Sequence, residues 1–194
     1  MTAEAGGPRT GGGRAAPEAC GLILVDPQAR LLDVVSNGRE VVQRMALLAR
    51  AAAVLRVPAL VTTQYARGLG GLDPALDALL AEVPRVDKVE FDALEAPGVQ
   101  EVLGSWPRSV ETLVLAGVEA HICVAQTALG ALAAGYRVWM VADAAGSRDP
   151  AHAEWAFRRV AAAGGLVGPA EMLVYEWLGR AGTPAFKALH PHLV

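Results

Sequence analysis

Apolar positions in this chain come in two rhythms that alternate from the first third of the sequence to its end. The continuous run Gly21-Leu-Ile-Leu-Val25 stops at Asp26, as a strand covered on both faces would. After it, Val41, Val42, Met45, Leu48, Ala49, Ala52 and Leu55 recur at helical spacing behind an N-cap at Ser36 or Asn37, and Val57-Pro58 ends the helix. A second strand over 59–63 leads into a glycine-rich loop over 67–71 and a short helix starting near Asp73-Pro74. The pattern then predicts a helix over 97–106, a strand over 111–116, a helix over 122–134 closed by Gly135, and a strand over 137–142. Helices over 150–163 and 169–178 flank a short strand near Leu166-Val167. Strand and helix in alternation predict one three-layer α/β domain, its mainly parallel sheet flanked by helices. Its ligand site is expected at the carboxyl ends of the strands.

Composition narrows the partners. With 17 Lys+Arg against 20 Asp+Glu the net charge is −3, so no basic surplus exists to neutralise nucleic acid or an anionic membrane. Arg44, Arg50 and Arg56 interrupt one apolar stretch and Glu119 and His121 another, which argues against a membrane span. Residues 1–19 hold no large apolar side chain beyond the initial methionine and are expected to be a flexible tail, with the folded domain over 20–194. Gly11 to Arg14 lacks the preceding strand and the Gly-Lys-Ser/Thr ending of a phosphate loop. Cys20 and Cys123 match no CxxC or zinc pattern, and no signal peptide precedes the first apolar run, so a reducing cytoplasm is the expected setting. Four tryptophans, Trp106, Trp139, Trp155 and Trp177, exceed what a lone domain of this kind must bury, which predicts a homo-oligomer, a symmetric dimer or larger.

Polar residues at strand ends carry the candidate chemistry. Asp26 closes the first strand, where a turn-capping role and a catalytic one are both open. Lys88, in Val86-Asp-Lys-Val-Glu-Phe91, reads by default as a solvated lysine. Cys123 follows the strand Leu113-Val-Leu-Ala116 and opens a helix, whose unpaired amides favour a thiolate, although a buried inert cysteine has the same surroundings. His121 is two residues from it and points elsewhere if the helix has begun, so Asp26, whose strand end opens on the same crevice, is the easier base. His152, His190 and His192 have no metal-ligand spacing.

Three segments in this order resemble the isochorismatase-like cysteine hydrolases: Leu22-Ile-Leu-Val-Asp-Pro-Gln28, Lys88-Val-Glu-Phe91, and Ala116-Gly-Val-Glu-Ala-His-Ile-Cys-Val-Ala-Gln-Thr127. Thr63-Gln-Tyr65 and Asp143-Ala-Ala-Gly-Ser-Arg148 echo the isochorismatase-domain-containing branch. The resemblance runs from about Cys20 to the C-terminus. It implies a Rossmann-like fold, an Asp26–Lys88–Cys123 triad, a non-proline cis peptide at Val118–Glu119, and an oxyanion hole from the backbone amides of Glu119 and Cys123. The implied reaction is acyl transfer to sulfur and hydrolysis, with an amide as the typical substrate, closed homo-oligomers, and no cofactor. Within that reading Lys88 and the helix end would favour the thiolate, Asp26 would oppose them, and the thiol is expected to titrate below a free one.

Departures from the family's patterns bear on substrate. Val61-Thr-Thr-Gln-Tyr65 and the loop after it hold no histidine, so the Asp-x-His metal motif of the nicotinamidase branch is missing and no metal is expected. Cys123 stands where siderophore-pathway isochorismatases replace the cysteine. Leu31 and Leu32 stand where many relatives have an aromatic residue, and Leu31, Gln64, Tyr65 and Phe91 are the candidate lining of a pocket for a small molecule. Asp143, Ser147 and Arg148 are expected to cap a loop. A catalytically idle binding or scaffold domain is the competing reading. A nucleotide-binding module lacks the glycines it would need after Asp26.

Overall fold

A computed structural model describes residues 13–193, and one parallel sheet organises them. Its strands are β1 (Cys20–Val25), β2 (Ala59–Gln64), β3 (Arg85–Lys88), β4 (Thr112–Val118), β5 (Arg137–Gly146) and β6 (Leu166–Gly168), in the order β3-β2-β1-β4-β5-β6 with every neighbouring pair parallel. Five of these match predicted strands. The sixth, β3, is an edge strand of four residues whose only apolar side chain is Val86, too little for hydrophobic patterning to register.

The helices are α1 (Ala29–Leu32), α2 (Gly38–Leu55), α3 (Ala66–Leu69), α4 (Pro74–Leu79), α5 (Pro97–Ser105), α6 (Ala125–Ala133), α7 (Pro150–Ala162), α8 (Ala170–Leu178) and α9 (Pro184–Leu189). Strand alternation decides which helices cover which face. Leu22, Leu24, Val61 and Val114 pack into a core roofed by α2, α4, α8 and α9, whereas Ile23, Val25, Leu60 and Leu115 pack into one roofed by α5, α6 and α7. Each fully buried aliphatic side chain of this kind contributes about 1.5–3 kcal/mol of transfer free energy. Two refinements concern loops. The glycine-rich loop at 67–71 begins as the helical turn α3, and the predicted helix at 122–134 begins as a π-helical turn, Ala120–Val124, before α6.

Two expectations change at the chain's surface. Residues 1–12 of the expected tail lie outside the described residues, but from Ala15 onward the chain packs: Ala15 is buried and its N–H donates to Glu176 Oε2 at 2.7 Å. Pro17–Ala19 then form a 3-10 turn that runs straight into β1. The tryptophan argument also fails as stated, because Trp139 and Trp177 lie in the core, Trp106 is half-buried against it, and only Trp155 is exposed. Among the described residues no helix is long and apolar enough to cross a membrane.

The order of strands reverses around β1, which pairs with β2 on one side and β4 on the other, so a crevice opens where their carboxyl ends diverge. Gly117 controls the spacing there. Its φ is 149°, and a Cβ at this position would come within 2.1 Å of the Val25 carbonyl oxygen.

Candidate active site

Asp26 leaves β1 with a left-handed backbone, φ 52°, a conformation that costs a non-glycine residue about 1–3 kcal/mol unless its surroundings enforce it. Here they do. Its N–H donates to Thr62 Oγ1 at 3.2 Å, the Thr62 hydroxyl donates to Asp26 Oδ1 at 2.6 Å, and Lys88 Nζ donates to Oδ2 at 2.8 Å. Lys88, at the end of β3, is paired in register with Gln64 at the end of β2, and its side chain crosses beneath that strand's end to reach β1. It also donates to Gln64 Oε1 at 2.6 Å and to the Glu90 carbonyl at 3.1 Å. Both side chains of the Asp26–Lys88 pair are 0% exposed, so neither charge is screened by solvent. The default reading of Lys88 as a solvated lysine is thereby replaced.

Cys123 lies in the π-helical turn after β4, buried, with its thiol donating to Gln64 Oε1 at 3.9 Å. Gln64 therefore joins two of the three residues: one oxygen accepts from both the ammonium and the thiol. The Val118–Glu119 peptide is cis, and the Glu119 carbonyl accepts from the amides of Ile122 and Val124 while passing over that of Cys123. The expectation of an acidified thiol is overturned. Burial first, and the Asp26 charge second, push the Cys123 thiol up to about 12, with Lys88 pulling the other way. The reason is geometric: the ammonium is engaged by Asp26, Gln64 and Glu90, and Cys123 is the fourth residue of its turn rather than at its amide-bearing start.

His121 faces away from this group, as its two-residue offset predicts. Its Nδ1 lies 2.9 Å from Ser147 Oγ and 3.6 Å from Glu119 Oε2, and its ring meets that of His152 with centroids 4.9 Å apart. Burial lowers its pKa against the opposing pull of Glu119. The Glu119 carboxylate also binds Arg148 through that residue's Nε and its backbone N–H. Asp143 is 3.3 Å from Arg44 Nε and accepts from the Ala170 amide at the start of α8. The contacts of Glu119, His121, Ser147 and Arg148 join the cysteine turn to the segment after β5, whereas those of Asp143 tie β5 to α2 and α8.

The four pocket candidates separate. Gln64 is inside the group, and Tyr65 and Phe91 are exposed in the segments that follow β2 and β3, whereas Leu31 packs on α1 against the core under α2. Two residues were not singled out from the sequence. Thr62 clamps Asp26, and the only hint was a hydroxyl in the middle of a buried strand. Gln28, fully buried, ties the ends of β1 and β2 together by accepting from the Gln64 amide at 2.7 Å and donating to the carbonyls of Gln64 and Gly70. Among the described residues no three of His, Cys, Asp and Glu converge as a metal site would need.

The comparisons with known proteins bear on the family and the fold. The family model described as the isochorismatase domain matches residues 20–172. An isochorismatase domain-containing protein 2 from Xenopus laevis is 34% identical over 166 residues, covering 86% of this chain and 79% of the relative. The solved structure of the MAR1 ribonuclease from Caenorhabditis elegans superposes with a TM-score of 0.86 at 30% identity, covering 93% of this chain and 92% of that one. The YcaC gene product of Escherichia coli, described as an octameric hydrolase of unknown specificity, shares the fold at 24% identity with a TM-score of 0.85, covering 93% and 91%. A parallel sheet with this site at its switch point, matched over most of its length by the family model, places the chain in the isochorismatase-like family, whose members include hydrolases.

Proposed function

We propose that this protein is a metal-independent cysteine hydrolase that cleaves a small amide or related acyl compound through a thioester. The observation that carries this reading is the buried chain Asp26–Lys88–Gln64–Cys123 at the carboxyl ends of four adjacent strands. Because the resting thiol is protonated, the nucleophile has to be made during the reaction. Asp26 takes the thiol proton as sulfur bonds to the substrate carbonyl carbon, and the carbonyl oxygen becomes an oxyanion. The backbone amides of Glu119 and Cys123 are the proposed donors to that oxygen. Collapse breaks the C–N bond, Asp26 returns its proton to the departing nitrogen, and the thioester forms. Water then attacks with Asp26 as base and releases the acid and the thiol. Lys88 keeps the Asp26 carboxylate oriented throughout and balances the negative charge that moves between oxygen and sulfur.

The test is mass spectrometry after incubation with small primary amides and with an aldehyde that would trap the nucleophile. An adduct on Cys123, and turnover that disappears in Cys123→Ala while the circular dichroism spectrum is retained, are the expected results. Labelling confined to Cys20 would overturn the proposal. A catalytically idle binding domain is favoured by one feature, the high thiol pKa. It would be recognised by saturable ligand binding with no Cys123-dependent turnover. We do not extend the ribonuclease name of one relative to this chain, whose net charge of −3 offers nothing to a polyanion.

Association into at least a dimer is part of the same proposal, supported by the octamer named for the YcaC relative and by exposed Trp155 on α7. Sedimentation at micromolar concentration should give a species larger than 20.1 kDa, and a monomer alone would count against it. Two free cysteines, one of them the nucleophile, suit a reducing compartment such as the cytoplasm.

A further inference from the structure

We propose that Gln64 is a positioning residue that keeps Cys123 protonated between turnovers, by accepting the thiol's own proton and by occupying a proton of Lys88 that would otherwise turn toward the sulfur. The inference rests on the hydrolase reading only in taking Cys123 as the reacting group. Gln64 Oε1 lies 2.6 Å from Lys88 Nζ and 3.9 Å from Cys123 Sγ, and both donate to it. Chemistry dictates which end of the amide faces them. An ammonium has only protons to offer, and on the other side the Val89 carbonyl accepts from Nε2 at 2.8 Å, so a flipped amide would set donor against donor and oxygen against oxygen. The backbone is tied as well. Gln28, fully buried, accepts from the Gln64 N–H at 2.7 Å and donates to the Gln64 carbonyl at 3.2 Å.

This fixed oxygen has two consequences for the sulfur, and they have the same sign. A carbonyl oxygen offers two lone-pair sites, and with Lys88 on one of them the other suits an S–H and repels a thiolate. The ammonium, for its part, has three protons, which face Asp26 Oδ2, Gln64 Oε1 and the Glu90 carbonyl, so none is left for the sulfur. Asp26, Lys88 and Glu119 are the charged groups acting on the thiol, and of these Lys88 is the one that favours the thiolate. The Lys88 charge also acts on Asp92, in the segment that follows it. Gln64 limits the pull of that cation without bringing a charge of its own. An amide oxygen does not keep a proton, so a rotation about Cβ–Sγ is enough to turn the thiol proton from Gln64 toward Asp26, the proposed base.

Alkylation of Cys123 by iodoacetamide, followed by peptide mass spectrometry as a function of pH, reads this role without a known substrate. In Gln64→Leu, which removes the acceptor, the rate curve should move to lower pH. The rate at neutral pH should rise about three- to fourfold for each pH unit of that movement, since the gain in thiolate outweighs its loss of nucleophilicity. Gln64→Glu keeps an oxygen for both donors and should react no faster than the native protein. Cys20, buried at the start of β1, is the internal control, because it stays unlabelled while the sheet is intact. An unmoved or raised curve in Gln64→Leu would overturn the proposal. So would a Gln64→Glu rate above native, because a side chain that merely fills space would be disturbed alike by both changes. If Gln64→Leu exposes Cys20, Gln64→Glu decides alone: a rate at or below native upholds the proposal and a higher one overturns it. The expected shifts without amide turnover would sink the hydrolase reading and leave this one standing.

Discussion

Asp26→Asn is expected to lower turnover by roughly 10²–10⁴-fold, the range for loss of a general base, and at the same time to make the Cys123 thiol more acidic. The two effects run in opposite directions for a definite reason. The Asp26 charge is the second cause, after burial, of a thiol pKa pushed up to about 12, so removing it lets the midpoint fall while Lys88 remains to favour the thiolate. The pH dependence of alkylation separates the two. In the native protein the iodoacetamide rate should go on rising with pH beyond the range in which a free thiol, near pKa ~8.5, levels off. In Asp26→Asn the curve should shift to lower pH. A variant that is inactive with an unshifted or higher midpoint would mean that Asp26 does not face the sulfur. A variant with the lower midpoint and full turnover would mean that a preformed thiolate suffices and that Asp26 is not the base.

Lys88→Met is expected to be the most destabilising single change at the site. The Asp26–Lys88 pair is wholly buried, and removing one partner leaves a charge with no counter-ion, at a cost of about 3–5 kcal/mol. For a chain of this size each kcal/mol corresponds to about 2–4 °C, so the melting temperature should fall by roughly 6–20 °C. The double variant Asp26→Asn/Lys88→Met carries no unpaired charge and should recover part of that loss, a non-additivity that calorimetry on all four proteins would measure. Additive effects, or a fall of only a degree or two in Lys88→Met, would contradict the burial and the pairing described above.

Why some of this could be read from the sequence and some could not follows from where each residue gets its surroundings. Asp26 and Cys123 stand at the ends of strands buried on both faces, and such strands announce themselves as unbroken apolar runs. The exit from a run is then a place to look for chemistry. Lys88 ends a strand with almost no apolar content, so local pattern pointed to solvent, and only the family resemblance recruited it. Its burial comes from β2 lying between β3 and β1, a relation between segments that no window of residues contains. Thr62 and Gln28 were missed for the same reason, since their partners are 36 to 42 residues away. The sign of the thiol's shift is set first by burial and then by the Asp26 charge, both of which come from tertiary packing and not from the local sequence. The C-terminal helix α9 went unread because six residues, less than two helical turns, are too short a window to show a period.

Asp26, Lys88 and Cys123 come from strands that are neighbours in space but dispersed in the chain, and β1, the earliest in sequence, takes its place between β2 and β4. In an all-parallel sheet no two of these strands can meet through a tight turn, because each pairing must wait for a crossover helix to close a long loop. The reactive group therefore has no local precursor. A nascent chain that has emitted β1 to β3 holds Asp26 and its counter-ion Lys88 but not Cys123, and the turn that carries Cys123 does not meet them until β4 docks beside β1. Chemical competence thus arises in a single event at the centre of the sheet. On the proposed chemistry, a copy whose β4 has not docked beside β1 lacks the assembled site, so activity would report completion of the sheet.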